Sequence, residues 1–224
     1  MNQRFFKLWM VLAMTASTAA SLSAQGRGLT ASGKVRAGVA SGDLQQDLRA
    51  NKMTGMGIEL TYTLGERSAV FGEVAYVNFA STDYWNPLPA AATVATSVDL
   101  RKNRLDGFTL RGGYRAGFGS MGLSWQAGLA VDRLKSRQEV SGQIVIGATT
   151  EGLAATPEST KVNVGGFGGI HWAIGENFSV EANLVSVGYS QVNWVPSSYS
   201  GTTAAAETKS HRGVVFEVAF GFTF

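Results

Sequence analysis

The last twelve residues of the chain, GVVFEVAFGFTF (Gly213–Phe224), set the pattern from which the fold can be worked out. Every second residue is a large apolar one, and the residues between them are smaller or polar. Strict alternation over this length is typical of a β-strand with one apolar face. The apolar row consists of Val214, Phe216, Val218, Phe220, Phe222 and Phe224.

The same alternation recurs along most of the chain, and no segment after the first 24 residues has the period of a helix. Together with the last strand, the alternating segments predict an all-β protein of eight strands. The seven earlier segments are residues 33–40, 55–64, 68–79, 107–117, 122–132, 161–173 and 178–184.

The connections between these strands alternate strictly between long and short. The short ones are residues 65–67, 117–120 and 175–177, and the long ones are residues 41–52, 81–105, 133–159 and 190–210. An up-and-down barrel would collect the long connections at one end and the short turns at the other, as transmembrane barrels do. The sequence therefore predicts an eight-stranded antiparallel up-and-down transmembrane β-barrel. The long connections are rich in Ala, Thr and Ser, which predicts mobile loops, and residues 133–147 are a candidate extension of strands five and six.

The first 24 residues are predicted to be a secretory signal peptide. Arg4 and Lys7 precede an apolar run over residues 8–16, which is too short to span a bilayer as a helix, and small residues follow up to Ala24. Residues 25–224 are then the barrel domain. Removing two basic residues reduces the net charge of +3 to +1, so the charge gives no reason to expect nucleic acid as a partner. The absence of cysteine excludes disulfides, thiolate metal sites and a lipid-modified cysteine.

Composition indicates which face of the strands meets the surroundings. Charged residues form only 16% of the chain, against roughly 25% in soluble domains, and the polar rows are mostly Gly, Ser, Thr, Asn and Ala. Such rows are too weakly charged for a water-facing exterior but suit a narrow lumen, so the apolar rows are predicted to face lipid. Aromatic residues near strand ends fit interfacial girdles: Tyr62, Trp125, Trp172, Phe178, Phe222 and Phe224.

The predicted lumen carries equal numbers of basic and acidic side chains. An unpaired buried charge costs several kcal/mol, so these residues are expected to neutralise one another inside a barrel that side chains can fill. The alternative is a narrow, gated ion path with Arg111 and Arg115 as its positive constriction and Glu59 and Glu217 opposite. The candidate network is Lys34, Arg36, Arg111 and Arg115 with Glu59, Glu73, Glu181 and Glu217.

The sequence favours neither a catalytic site nor a metal or cofactor site. His171 and His211 fall at opposite ends of the barrel, and the serines near His211 lie in a loop of ordinary serine content. Gly28–Val35 nearly fits a phosphate-binding loop, but it lacks the Ser or Thr that would bind magnesium and opens a strand. The glycines of GGFGG (Gly165–Gly169) precede no helix and are expected to make room for large neighbours in the lumen.

The chain resembles the small eight-stranded outer-membrane barrels of the OmpX, OmpA transmembrane-domain and opacity-protein kind. The resemblance covers residues 25–224 and rests on the signal peptide, the alternating strands and the final strand that ends in phenylalanine. It implies an outer-membrane location in contact with lipid. It also implies that periplasmic chaperones and the barrel assembly machinery recognise a C-terminal signal consisting of Val214, Phe216, Val218, Phe220, Phe222 and Phe224. OmpA-like proteins often add a periplasmic peptidoglycan-binding domain, and because the resemblance concerns the barrel alone, that role is not expected to carry over.

Three functions remain open at this stage. The first is a structural or surface-interaction role through the external loops, whose partner the sequence does not identify. The second is a narrow porin-like channel for ions or small solutes, and the third is a lipid-modifying enzyme.

Overall fold

A computed structural model describes residues 28–42, 52–80, 95–118, 122–146, 149–156, 158–194 and 206–224. The predicted signal peptide and the central parts of the long connections lie outside these residues. Predictions that concern those parts, including the mobility of the loops, therefore stay predictions.

Nearly all of the described residues lie in β-strands. β6 and β7 pair with successive parts of β5, so together they form one barrel strand that is interrupted between Ala155 and Glu158. Eight barrel strands result, as predicted. The segments are β1 (Leu29–Gly42), β2 (Lys52–Gly65), β3 (Ser68–Ala80), β4 (Ala95–Gly117), β5 (Leu123–Ile146), β6 (Thr149–Ala155), β7 (Glu158–Ile174), β8 (Phe178–Trp194) and β9 (Ala206–Thr223).

All strand pairs are antiparallel, and each strand pairs with its neighbours along the chain. The sheet closes where the first strand meets the last, with Val35 opposite Phe220 and Lys34 opposite Gly221. This is the up-and-down topology that the alternating connections predict. In the described ranges, no helix is long and apolar enough to cross a membrane.

Several strands are longer than predicted. Residues 95–105, 133–146, 149–155, 190–194 and 206–210 belong to strands, so their assignment to loops was wrong, whereas the suggested extension of strand five agrees with β5. The reason is that the ladder continues past the point where the apolar row ends, as in the pairing of Arg104 with Arg137. Polar residues in the outward row leave the backbone hydrogen bonds intact but remove the apolar row by which a lipid-facing strand is recognised.

The two ends of the barrel differ as the connections predict. One end, here called the short-turn end, has the turns after β2, β4 and β7 together with Leu29 and Phe224. Gly122 and Gly175 each adopt a φ of 68° there, a left-handed conformation that favours glycine in tight turns. The other end, called the long-loop end, has the tall β4–β5 hairpin of 23- and 24-residue strands.

The outer surface has a continuous apolar belt. On every barrel strand, at least one large apolar side chain points outward and is between 46 and 67% exposed. An apolar surface that surrounds the molecule and has polar rims indicates a protein that spans a membrane. One belt residue from each barrel strand is Val35, Leu60, Val74, Leu110, Leu129, Val164, Leu184 and Phe220. The predicted aromatic residues also point outward, in a girdle at the short-turn end.

Candidate functional site

The structure places all eight predicted lumen charges inside the barrel. Each residue is between 0 and 9% exposed, and together they come from six strands. They separate into two groups at different heights, which are described below as the first and second quartets. β1 contributes Lys34 and Arg36, β2 Glu59, β3 Glu73, β4 Arg111 and Arg115, β8 Glu181 and β9 Glu217.

The first quartet, Lys34, Glu59, Arg115 and Glu181, lies toward the short-turn end. The ammonium group of Lys34 is 2.5 Å from a carboxylate oxygen of Glu59 and 2.5 Å from one of Glu181. Arg115 contacts the same two carboxylates, with its Nη2 3.0 Å from Glu181 and 3.3 Å from Glu59. Two cations therefore share two anions, and the group is neutral.

Two amide side chains complete the first quartet. Gln126 accepts a hydrogen bond from Nη2 of Arg115 at 2.8 Å, and its own amide donates to Asn183 at 2.7 Å. Asn183 in turn donates to Glu181 at 3.3 Å. A buried ion pair is tolerated when hydrogen bonds satisfy its remaining polar atoms, and these amides provide such bonds.

The second quartet, Arg36, Glu73, Arg111 and Glu217, lies closer to the centre of the barrel. Arg111 binds Glu217 in a bidentate pair, with N–O distances of 2.7 and 2.9 Å. Arg36 approaches Glu217 at 3.3 Å through Nη1 and pairs with Glu73 through Nη2. This group also has two positive and two negative charges, so neither quartet needs the other for neutrality.

A pair of phenylalanines separates the quartets. The ring centroids of Phe71 and Phe167 are 5.9 Å apart, and the Arg115 guanidinium is 4.6 Å from the Phe71 ring centroid. A Cβ atom at Gly113 would lie 2.9 Å from Phe71 and 3.1 Å from Phe167, so glycine is needed to make room for both rings. This is the role expected of lumen glycines, and Gly169 within GGFGG fulfils it as well, because a Cβ atom there would collide with the inward side chain of Asn183.

Beyond the quartets, toward the long-loop end, most of the buried inward side chains are apolar, and three polar ones, Asn103, Ser136 and Gln138, accompany them on β4 and β5. Sequence reasoning missed this apolar tier and expected a polar lumen throughout, which is wrong for this half. The signal was present, because each residue has the inward parity of its strand, but most of them fall near or beyond the predicted strand ends. All are 5% exposed or less: Ala40, Met53, Val77, Phe79, Leu105, Leu134, Val185, Val187, Tyr189 and Val215.

Asp132 was also left out of the predicted network. It faces inward opposite Thr109 in the β4–β5 ladder and is buried. Its parity matches that of Gln126, so the alternation of β5 was enough to place it in the lumen.

An open vestibule of about 560 Å³ enters the barrel from the short-turn end. Arg115 lies in its lining together with Arg67, Ser124 and His171, so this cavity reaches the first quartet. The second quartet and the apolar tier lie further inside. Water can therefore enter part of the lumen from this side, while the remaining length is filled with side chains.

The vestibule contains a serine–histidine pair. Oγ of Ser124 is 3.3 Å from Nδ1 of His171 and 3.3 Å from its carbonyl oxygen. Glu181 is opposite His171 in the ladder, but the hydrogen bonds described for its carboxylate come from Lys34, Arg115 and Asn183. A nucleophile of this kind needs a base oriented by a third group. Within the described residues, no hydrogen bond joins His171 to a carboxylate.

His211 lies toward the opposite end, where its ring stacks on Tyr189 with centroids 5.2 Å apart. Most of the serines considered near it in the sequence lie outside the described residues. In the part of the chain that the structure describes, no three His, Asp or Glu side chains come together as a metal site.

The row proposed as an assembly signal faces outward along β9. Phe178, Phe222 and Phe224 form edge-to-face contacts, with centroids 5.2 Å apart for the first pair and 5.5 Å for the second. Phe222 and Phe224 thus belong to the girdle at the short-turn end. Recognition of this row by an assembly machinery stays a prediction.

The fold and the lumen define the class of protein: a small, closed, membrane-spanning β-barrel of eight strands with a filled interior. No protein-family model matches the sequence, and no curated protein matches it either. Among solved structures, a major outer-membrane protein of Thermus thermophilus is 8% identical, with a TM-score of 0.51 over 88% of this chain and 99% of that one.

Two further solved structures are similar at lower TM-scores. Ail, the attachment invasion locus protein of Yersinia pestis, is 10% identical with a TM-score of 0.49, and Neisserial surface protein A is 14% identical with a TM-score of 0.47. Each alignment covers 88% of this chain and 97% of the other. The similarity to the Thermus protein, at 8% identity, concerns the fold alone.

Proposed function

We propose that this protein is an integral outer-membrane barrel with a structural or surface-interaction role, and that its external contacts are made at the long-loop end. The observation that carries the proposal is the filled lumen. Two neutral quartets and an apolar tier occupy successive levels of the interior. Packed side chains, rather than a path for solutes, therefore take up most of the lumen. The loops and the rim are then the parts available to a partner.

A test of this role compares a strain lacking the protein with strains that express the intact chain or a chain with shortened loops. In the latter, residues 84–93 and 196–204 are replaced by short Gly-Ser turns. Outer-membrane integrity is measured by entry of an apolar fluorescent dye, and surface binding by adhesion to host-cell or matrix layers. A surface role predicts that shortening abolishes adhesion and preserves integrity, whereas a structural role predicts that the intact and shortened chains both restore integrity. Failure of the intact chain to restore either would contradict the proposal.

The rival function is a narrow channel for ions or small solutes. The vestibule favours it, because water entering from the short-turn end can reach Arg115 without any rearrangement. A channel would have to open both quartets and the apolar tier. It predicts reproducible conductance steps whose ion preference changes when Arg111 and Arg115 are replaced by glutamine.

The contact between Ser124 and His171 is the observation that favours a third candidate, a lipid-modifying enzyme, although no described carboxylate orients the histidine. This function predicts a change in the mass of a membrane lipid that depends on the protein. The change would disappear in His171→Ala and persist in His211→Ala, so lipid mass spectrometry of these two strains separates this candidate from the others.

We also propose that the outward row of β9 directs assembly through periplasmic chaperones and the barrel assembly machinery. Phe224 contacts Phe222 at the girdle and is itself exposed, so its removal leaves the lumen intact. Deletion of Phe224 should reduce the amount of barrel in the outer membrane of cells, while refolding of the purified chain into vesicles proceeds as in the wild type. Equal loss in both measurements would indicate a stability effect instead.

A further inference from the structure

At the long-loop rim, the residues that follow the apolar belt differ from one strand to another. On β5 the outward row runs from the apolar residues Leu129 and Val131 directly into Arg133, Lys135 and Arg137. Alternate residues of a strand are about 7 Å apart, so these three cations form a line of about 14 Å that continues the lipid-facing row. This line is called the basic row below.

Arg133 has apolar neighbours on either side. It is opposite Phe108 on β4 and opposite Val162 on β7, and both of these side chains are exposed to the membrane. Among the described residues, no acidic side chain forms an ion pair with Arg133. Its guanidinium therefore stands at the upper edge of the belt, where it is available to an anion from the surroundings.

The other cations of this rim are partly neutralised by acidic neighbours. Glu158 lies 2.5 Å from Lys135 and 2.6 Å from Arg137, and Glu139 lies 3.6 Å from Arg104. Asp106 is the third acidic side chain described on the outward faces of β4, β5 and β7 here, and it accepts a hydrogen bond from Tyr76 at 2.7 Å. Among the described outward side chains at this end of these three strands, four are basic and three are acidic, so the patch is positive and the excess charge lies at Arg133, next to the lipid.

We infer that the basic row binds the phosphate groups of anionic lipids in the leaflet that surrounds the long-loop rim. The acyl chains of such a lipid would lie against the belt below Arg133, and its phosphates would be at the height of Arg133, Lys135 and Arg137. Arginine and lysine near a membrane surface attract anionic head groups, and arginine binds phosphate oxygens through two parallel hydrogen bonds. This inference goes beyond the proposed function and requires only that the belt faces lipid.

The test measures the binding of lipid A, a phosphorylated glycolipid, to the full barrel in zwitterionic detergent by native mass spectrometry. The variants are Arg133→Gln and the triple variant Arg133→Gln, Lys135→Gln, Arg137→Gln. A matched control, Lys52→Gln with Arg212→Gln, removes two exposed, outward basic residues from β2 and β9 at the same rim. Far-UV circular dichroism and gel mobility before and after boiling establish that each variant is folded.

The expected result is a loss of affinity of about fivefold for Arg133→Gln and of tenfold or more for the triple variant, with little change in the control. Lipid A from which both phosphates have been removed should bind all variants equally weakly. The inference would be overturned if the triple variant kept the affinity of the wild type, or if the control lost as much affinity as the triple variant. It would also be overturned if the wild type bound the dephosphorylated lipid as tightly as the phosphorylated one. If the triple variant fails to fold, the single variant Arg133→Gln decides, because its side chain makes no described ion pair.

Discussion

The two halves of the lumen are filled by different kinds of side chain, although both kinds occupy inward positions on the same strands. Toward the short-turn end, the inward side chains include eight charged ones that form two neutral quartets; toward the long-loop end, most of them are apolar and packed against one another. The charged half depends on partner geometry, because each ion needs a counterion within reach. The apolar half depends on volume, because a filled section excludes water without any specific pair. This comparison implies that the charged half determines which arrangement of the strands is stable, and that the apolar half closes the lumen to water.

The largest effect should come from removing one member of a quartet. Glu217→Ala leaves Arg36 and Arg111 with Glu73 as their main described counterion, so the free energy of unfolding should fall by about 3–5 kcal/mol. The measurement is denaturant unfolding of the barrel in vesicles, followed by tryptophan fluorescence.

A double variant serves as the control for this effect. Glu217→Leu with Arg111→Met removes one charge of each sign and leaves the Arg36–Glu73 pair in place. Its stability should be closer to the wild type than that of Glu217→Ala. The single variants Glu217→Leu and Arg111→Met are measured beside it. If the double variant loses as much free energy of unfolding as the two single variants together, charge balance is not the reason for the loss.

The next effect concerns the apolar tier. Leu134→Ala creates a cavity at a fully buried position and should destabilise the barrel by about 2–5 kcal/mol in the same unfolding experiment. Leu129→Ala on the same strand is the matched control, because Leu129 faces lipid and leaves no cavity when shortened. Equal losses at both positions would mean that the tier is not tightly packed.

A third change tests the lipid-facing surface of the barrel, which encloses both halves of the lumen. Phe220→Arg places a charge on the lipid-facing row of β9, which costs roughly 2–4 kcal/mol near the middle of the bilayer and should lower the yield of folded barrel. Its neighbour Ala219 faces inward, so Ala219→Ser should fold nearly as well as the wild type. Equal yields for the two variants would contradict the assignment of the faces.

The smallest effect lies at the rim, beyond the belt. Hydrogen bonds from Lys135 and Arg137 lower the pKa of Glu158 below its ordinary value. The pairing is therefore present above the ordinary glutamate pKa and is lost as the pH falls through the lowered pKa. NMR titration of the Glu158 carboxyl carbon should show an upward shift of its pKa in Lys135→Gln. An unchanged midpoint would show that the pair does not persist in solution.

Much of the fold follows from alternation alone. The number of strands, their direction and the inward position of all eight charges could be predicted, because parity along a strand determines the face of each residue. The grouping into quartets could not. Lys34 and Arg36 are neighbours on one face of β1, yet they belong to different quartets, because the partner of each depends on the stagger of strands that alternation does not specify.

The apolar tier was missed for a different reason. Met53 and Leu105 keep the inward parity of their strands, but each lies beyond the end of the segment where the outward row is apolar. A search for alternation stops where the lipid-facing row becomes polar, even though the strand and its core continue. These positions could have been predicted by assigning alternate residues to the inward face beyond the apolar row, up to the next turn residue.

Single-channel conductance of the chain without its predicted signal peptide, residues 25–224, tests the central claim most directly. The wild type and a variant with Arg111→Gln and Glu217→Gln are refolded and inserted into planar bilayers, beside a third variant with Leu105→Ser and Leu134→Ser combined with both glutamines. The account predicts that the first two are silent, because the apolar tier still closes the lumen, and that any conductance appears in the third alone. Reproducible steps in the wild type, or in the variant that alters the second quartet alone, would contradict it.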